Sequence, residues 1–332
     1  MRNPSVHLFF ITIYRTIMKR YRKYSVCSLG LLCVCSLLLC MACESGHSSL
    51  LLNWETAKNV NRNPLGYARR LEMPKLEEGN LFNCYTSVFN GDEFVTFSIE
   101  YDPQKRHSRW VAFTFCDETA QKNWSRSQWK ETKWKGDPFQ PDPSLPKEAQ
   151  IGDAEHRKDQ YDRGHLCASE DRVYSKDANQ QTFYYSNISP QLRSFNQGGA
   201  WLKLEDKIRE WGHDSDMRDT LYVVKGGTIR DGEFYDSRGR HGTIVKNIDK
   251  MNGIVVPANY FMALVCRKMN CFYGIAFWFE HKEGGGKGRL SDYAISIDEL
   301  EKRTGIDFFC NFPDKIEKLV ETSCVPLLWN LD

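Results

Sequence analysis

The sequence predicts an α+β domain, a central and mostly antiparallel sheet flanked by helices. Three observations carry that prediction. Several runs rich in β-branched and aromatic residues have strand length. Two of them, "YFMALVC" and "CFYGIAFWFEH", are separated by only four residues, a gap that suits a hairpin. Between the strand runs lie segments whose apolar residues recur at helical spacing. A chain of 332 residues with 41% hydrophobic and 13% aromatic side chains can bury a large core, which argues against disorder.

Residues 1–42 precede the fold. They hold six basic side chains and no acid, and close on the apolar run "VCSLGLLCVCSLLLCMA", the two parts of a signal peptide. Met18 opens "MKRYRKYSVCSLG", which has the proportions of a complete signal by itself, so translation is expected to start there. "LCMAC" resembles a bacterial lipoprotein cleavage box, with Cys40 where leucine is usual. That resemblance implies a lipidated Cys43, a membrane anchor at the N-terminus and a place in the cell envelope facing the periplasm or the outside. An uncleaved anchor is the alternative.

Residues 43–80 are polar without sustained periodicity and read as a tether, and residues 81–332 as the folded domain. The domain opens with the strand-like "EFVTFSIEY" (93–101) and "RWVAFTF" (109–115), expected as a hairpin. Residues 136–150 carry four prolines, which excludes helix and central strand and leaves a long ordered loop of the kind that borders sites. In "NQGGAWLKLEDKIREWGHD", Trp201, Leu204, Ile208 and Trp211 share a helical face, so a helix begins near Asn196. Strands follow at "TLYVVKG", "YFMALVC" and "CFYGIAFWFEH". "KEGGGKG" precedes no helix and lacks the lysine-threonine pair of a phosphate loop, so it reads as a surface loop. "SIDELEKRTG" reads as a last helix, capped by Ser296 and ended by Gly305.

Without residues 1–42 the chain keeps 39 Lys and Arg against 43 Asp and Glu, a formal charge of −4. No global basic field draws it to nucleic acid, and any such binding needs a local patch. Seven cysteines lie beyond Cys43, an odd number, so an exported chain leaves at least one unbridged. Cys266 and Cys271 flank "RKMN" and suit a bridge at a hairpin end. No CxxC pair is present, which argues against structural zinc.

The chemistry concentrates in "YDRGHLCASEDR" (161–172). A neutral histidine near pH 7 can take a proton from water, an arginine offers a planar fork to phosphate, and a glycine lets the backbone approach closely. His165, Arg163 and Gly164 supply these parts. A His165–Cys167 nucleophilic pair is the rival, without an evident third orienting group; Cys167 reads better as core or bridged. His107, His156, His213, His241 and His281 read as surface or loop residues.

The segment is similar to the motif of the sugar-non-specific DNA/RNA endonucleases of the ββα-metal type, which include secreted bacterial nucleases and mitochondrial endonuclease G. "DRGHL" is followed by "YYSNISPQLRSFNQGGAWLKLED", similar to that family's order of Ser/Thr-Asn, Pro-Gln, Asn-Gln, Trp and Leu-Glu. The resemblance covers about residues 84–325 and implies the ββα-metal nuclease fold. It makes His165 the general base, Asn196 the direct ligand of one magnesium ion, which manganese can replace, and Glu205 the residue that orients water around the ion. Arg163 would contact phosphate, Asp162 would anchor the loop and Asn187 would brace the strand and helix. The asparagine-to-glutamate spacing is one residue longer than the family's, with Gly198-Gly199 as the insertion. The family places an arginine before the Pro-rich loop; "WKETKWKGDPFQPDP" holds none, so Lys133 and Lys135 become the candidates for transition-state charge.

The expected function is therefore metal-dependent hydrolysis of DNA and RNA with 5′-phosphate products, by a chain that is compatible with a homodimer. The second reading is a surface lipoprotein that binds nucleic acid with this fold but cleaves weakly or not at all.

Overall fold

The computed structural model describes residues 60–61, 66–156, 160–232, 246–247, 249–269, 271–284 and 286–331. The expectations for residues 1–42, Met18, Cys43 and His241 lie outside them. Eleven strands are described: β1 Leu81–Phe89, β2 Asp92–Asp102, β3 His107–Phe115, β4 Tyr161–His165, β5 Ile188–Leu192, β6 Thr220–Gly227, β7 Asp249–Met251, β8 Ile254–Val256, β9 Asn259–Lys268, β10 Cys271–Glu280 and β11 Ala294–Ile295. The helices are α1 Lys176–Gln181, α2 Arg193–Asn196, α3 Gly199–His213, α4 Ile297–Thr304 and α5 Asp314–Thr322. Among the described residues no helix is long and apolar enough to cross a membrane.

Seven strands form one sheet in the order β1-β2-β3-β6-β9-β10-β11, antiparallel throughout. This is the α+β architecture that the strand runs predicted. Alternation along each strand sorts its side chains between the two faces. On β6, Leu221 and Val223 join the core beneath α3, where Trp201, Leu204, Ile208 and Trp211 pack. Tyr222 and Val224 join the opposite core beneath α4 and α5, with Phe261, Leu300, Phe308 and Val320. The sheet is thus covered on both faces. The β4-β5 ribbon pairs separately from it, with His165 opposite Ile188 and Gly164 opposite Ser189.

Three local expectations change. The tether is shorter than 43–80: Asn61, Ala68, Glu72 and Met73 are buried, and the Asn311 side chain donates to the Ala68 and Arg70 carbonyls, so these residues belong to the body. Residue types that look polar in sequence serve here as hydrogen-bonded packing. The helix expected near Asn196 is two: α2 ends at Asn196, and α3 starts at Gly199, whose φ of 69° is easy only for glycine. No disulfide joins Cys266 and Cys271, because the hairpin sets Cys266 opposite Tyr273 and Cys271 opposite Lys268, a diagonal offset.

Candidate active site

The ribbon presents His165 at the end of β4. Its imidazole packs against two aromatic rings that also touch each other, 5.4 Å from Phe139 and 4.9 Å, edge-on, from Phe183, with the two rings 5.1 Å apart. Phe139 comes from the Pro-rich loop. Each ring also carries a guanidinium: Arg163 sits 3.8 Å from the Phe139 centroid and Arg126 5.2 Å from that of Phe183. His165 Nε2 is buried and has no hydrogen-bond partner among the described residues. Burial first, then the charges of Arg126 and Arg163, push the His165 pKa down to about 3. The ring is therefore neutral at pH 7, the state a proton acceptor needs.

Gly164 is required beside it. A Cβ there would stand 2.1 Å from Gln191 Oε1 on the neighbouring strand. Asn187 locks the ribbon's exit: its side chain accepts from the Cys167 N–H at 2.8 Å and donates to the carbonyls of Cys167 at 2.9 Å and Thr182 at 2.7 Å. Cys167 is wholly buried, and its thiol is pushed up to about 12, which removes it as a nucleophile at neutral pH. Arg163 pairs with Asp137 at 3.2 Å and Asp153 at 3.5 Å.

Asp162 points to the other side of β4 and accepts from Asn196 Nδ2 at 3.1 Å and Gln197 Nε2 at 2.7 Å, with Arg193 Nε at 3.2 Å. With Nδ2 held by Asp162, Asn196 Oδ1 is a neutral oxygen of the kind magnesium accepts alongside several waters, so this residue fits the ligand role. Glu205 is buried on α3, where Lys225 Nζ reaches its Oε1 at 3.3 Å. His165 and Arg163 thus share one ribbon, Asn196 is tied to it through Asp162, and Glu205 stands on the helix that follows.

Lys133 and Lys135 are not among the largest influences on His165. Lys133 Nζ stacks 4.9 Å from the Trp134 ring, Lys135 occupies a turn with φ 49°, and the cations that weigh on His165 are Arg126, Arg163 and Lys225. The arginine beside the site is Arg126, three residues before the segment in which the resemblance places one. It is the single arginine between Arg109 and Arg157, directly after Ser125, which caps a short 3-10 turn. That isolation was the available signal. Of the histidines expected as surface or loop residues, His156 and His281 do lie in loops, but both are buried, as is His107 on β3, and each touches the ribbon or the residues leading into it, through Tyr185, the Leu192 N–H and Ser189.

Comparison with known proteins follows the same outline. A model of the family described as "DNA/RNA non-specific endonuclease" matches residues 79–315. Nuclease 1, mitochondrial, of Schizosaccharomyces pombe is 25% identical over 174 residues, 50% of this chain and 51% of its own length. Nuclease EXOG, mitochondrial, of Xenopus laevis is 25% identical over 221 residues, 65% of this chain and 57% of its own. Endonuclease G, mitochondrial, of Bos taurus is 28% identical over 237 residues, 70% of this chain and 68% of its own. The chain spans roughly half to three fifths of the length of the first of these relatives. Among solved structures, a chain of an EndoG/EndoGI complex aligns with a TM-score of 0.55 at 20% identity, covering 70% of this chain and 88% of that one, a likeness of fold.

Proposed function

The chain belongs to the DNA/RNA non-specific endonuclease family, and from that premise we propose that it hydrolyses the phosphodiester bonds of both DNA and RNA, leaving 5′-phosphates. The observation that carries the reading is a neutral, half-buried imidazole packed against two rings that each bear a guanidinium. His165 takes the proton from the attacking water. Arg163 and Arg126 hold the phosphate and the charge that grows on it, in place of Lys133 and Lys135. Asn196, oriented by Asp162, would hold one divalent ion, magnesium or manganese. That ion, when bound, stabilises the departing oxygen. Glu205 orients water. Contacts to phosphate and sugar carry little sequence information, which favours a broad substrate range.

The second reading, binding without efficient cleavage, drew its support from a missing arginine, and Arg126 withdraws that support. The deciding experiment uses residues 44–332, because truncation at the expected tether end would cut away buried Ala68 and Met73. Cleavage of plasmid DNA and single-stranded RNA is followed with magnesium, with EDTA, and for His165→Ala. Metal-dependent cutting of both polymers that drops by about 10²–10⁴ in the variant is the expected result. Well-folded protein that cuts neither polymer with magnesium or manganese overturns the reading. Anchoring of the chain in the cell envelope through Cys43 is part of the proposal, read by fractionating cells that carry Cys43→Ser, and a homodimer is read by light scattering.

A further inference from the structure

A buried charge cluster lies behind the site. Lys225 is on central strand β6, between Val224 and Gly226, and is wholly buried on the face that carries α3. Nothing in the local sequence calls for a cation there. Its Nζ lies 3.2 Å from Asp171 Oδ2 and 3.3 Å from Glu205 Oε1, and 5.5 Å from the Phe113 ring. Asp171 also takes Arg209 Nη1 at 3.3 Å. Two carboxylates thus face two cations, with Arg172 and the Cys167 thiol nearby. The cluster joins the turn six residues beyond His165 and the central strand to helix α3, which carries Glu205.

Stability alone explains this poorly. Replacing a buried ion pair by well-packed apolar side chains is often neutral or stabilising, so a lysine in the middle of an apolar strand needs another reason. The reason on offer is its second partner. Glu205 is buried, and burial drives a carboxylate towards its neutral form; Lys225 is the largest influence holding it charged.

Resting on the nuclease reading above, we propose that Lys225 is a positioning residue of the reaction, an ammonium anchored by Asp171 that holds the Glu205 carboxylate in place. It touches no substrate. Its direct contact with the machinery is Glu205, and its charge adds the smallest of the cationic influences on His165.

The test measures kcat and KM on plasmid DNA at saturating magnesium for wild type, Lys225→Met, Glu205→Gln and the double variant, with folding checked by circular dichroism. Lys225→Met is expected to lower kcat by about tenfold or more and to move KM by less than about twofold, the scale on which supports of a reacting group act. The double variant should be no slower than Glu205→Gln alone. Should Lys225→Met fail to fold, Lys225→Met with Asp171→Asn restores the charge balance, and its kcat should stay low because Glu205 still lacks its anchor. An unchanged kcat in either variant, or losses that multiply in the Lys225/Glu205 cycle, overturns the proposal. Wild-type protein that cuts nothing removes the nuclease reading itself and this inference with it, an outcome distinct from a cutting enzyme indifferent to Lys225.

Discussion

The two faces of the sheet are built differently. Under α4 and α5 the core is mostly Trp110, Phe261, Leu300, Phe308, Phe312 and Val320, side chains whose burial from water is sufficient reason for their place, and the buried Glu100 beside them is paired with Trp110 Nε1 at 2.7 Å and Arg109 at 3.6 Å. Under the ribbon and α3 the same sheet buries Lys225, Asp171, Glu205 and His107, and the ribbon itself holds a Gln191 amide without a partner among the described residues. Each such group costs free energy unless it is paired. The difference teaches where to look for function: one face is mostly apolar, whereas the other gathers a lysine, two carboxylates and, among the described residues, unpartnered polar atoms next to His165.

The largest expected effect tests whether the apolar face is indeed only structural. Phe308 packs 5.7 Å from Phe261 and is wholly buried, so Phe308→Ala should cost about 3–5 kcal/mol of stability in urea unfolding. Cleavage per folded molecule should stay within about twofold. A selective loss of kcat would break the comparison, because it would give the far face a part in the chemistry.

Next comes the arginine that sequence reading passed over. Arg126→Ala should lower kcat/KM by about 10²-fold, in the range of losing one donor to developing charge, with the melting temperature nearly unchanged because the side chain is exposed. Lys133→Ala and Lys135→Ala should each stay within about threefold of wild type. Equal losses at all three positions would mean a diffuse basic surface rather than a placed guanidinium.

Arg126 and Lys225 also show how far sequence carries. The motif from Asp162 to His165 was legible because its parts are adjacent in the chain and each residue type suits its task, whereas Asn187 and Asn196 were read only through the resemblance to the endonuclease family. The main strands were legible from alternation and β-branched content. Lys225 meets Asp171 across 54 residues of sequence, and Arg126 meets Phe183 across the Pro-rich loop, so neither partner can be read from its own neighbours. Strand β1 and helix α5 escaped for a related reason: "LFNCYTSVF" mixes polar residues into an edge strand, and α5 gains its order from packing Ile316 and Val320 on the sheet. The buried histidines escaped because their solvation is a property of the fold.

Those histidines give the smallest and most local way to sharpen the comparison. His281 Nε2 accepts the Leu192 N–H at 2.8 Å at the end of the ribbon, and its Nδ1–H donates to the Pro257 carbonyl at 2.7 Å, a pairing that only the neutral ring can make. Burial pushes its pKa down to about 4. The folded value is below the unfolded one of about 6.5, so the stabilisation is full above pH 6.5 and is lost as pH falls towards 4. By pH 5 such a group has lost about 2 kcal/mol. His107, also pushed down to about 4, binds Ser189 on the same ribbon, so acid should loosen the ribbon before the sheet. The measurement is the hydrogen-exchange protection factor of the Leu192 amide between pH 7 and pH 5, set against that of Val265 in the middle of β9. Leu192 should lose protection while Val265 keeps it. Parallel loss at both sites would mean that acid opens the whole domain together, and that the polar face is no weaker than the apolar one.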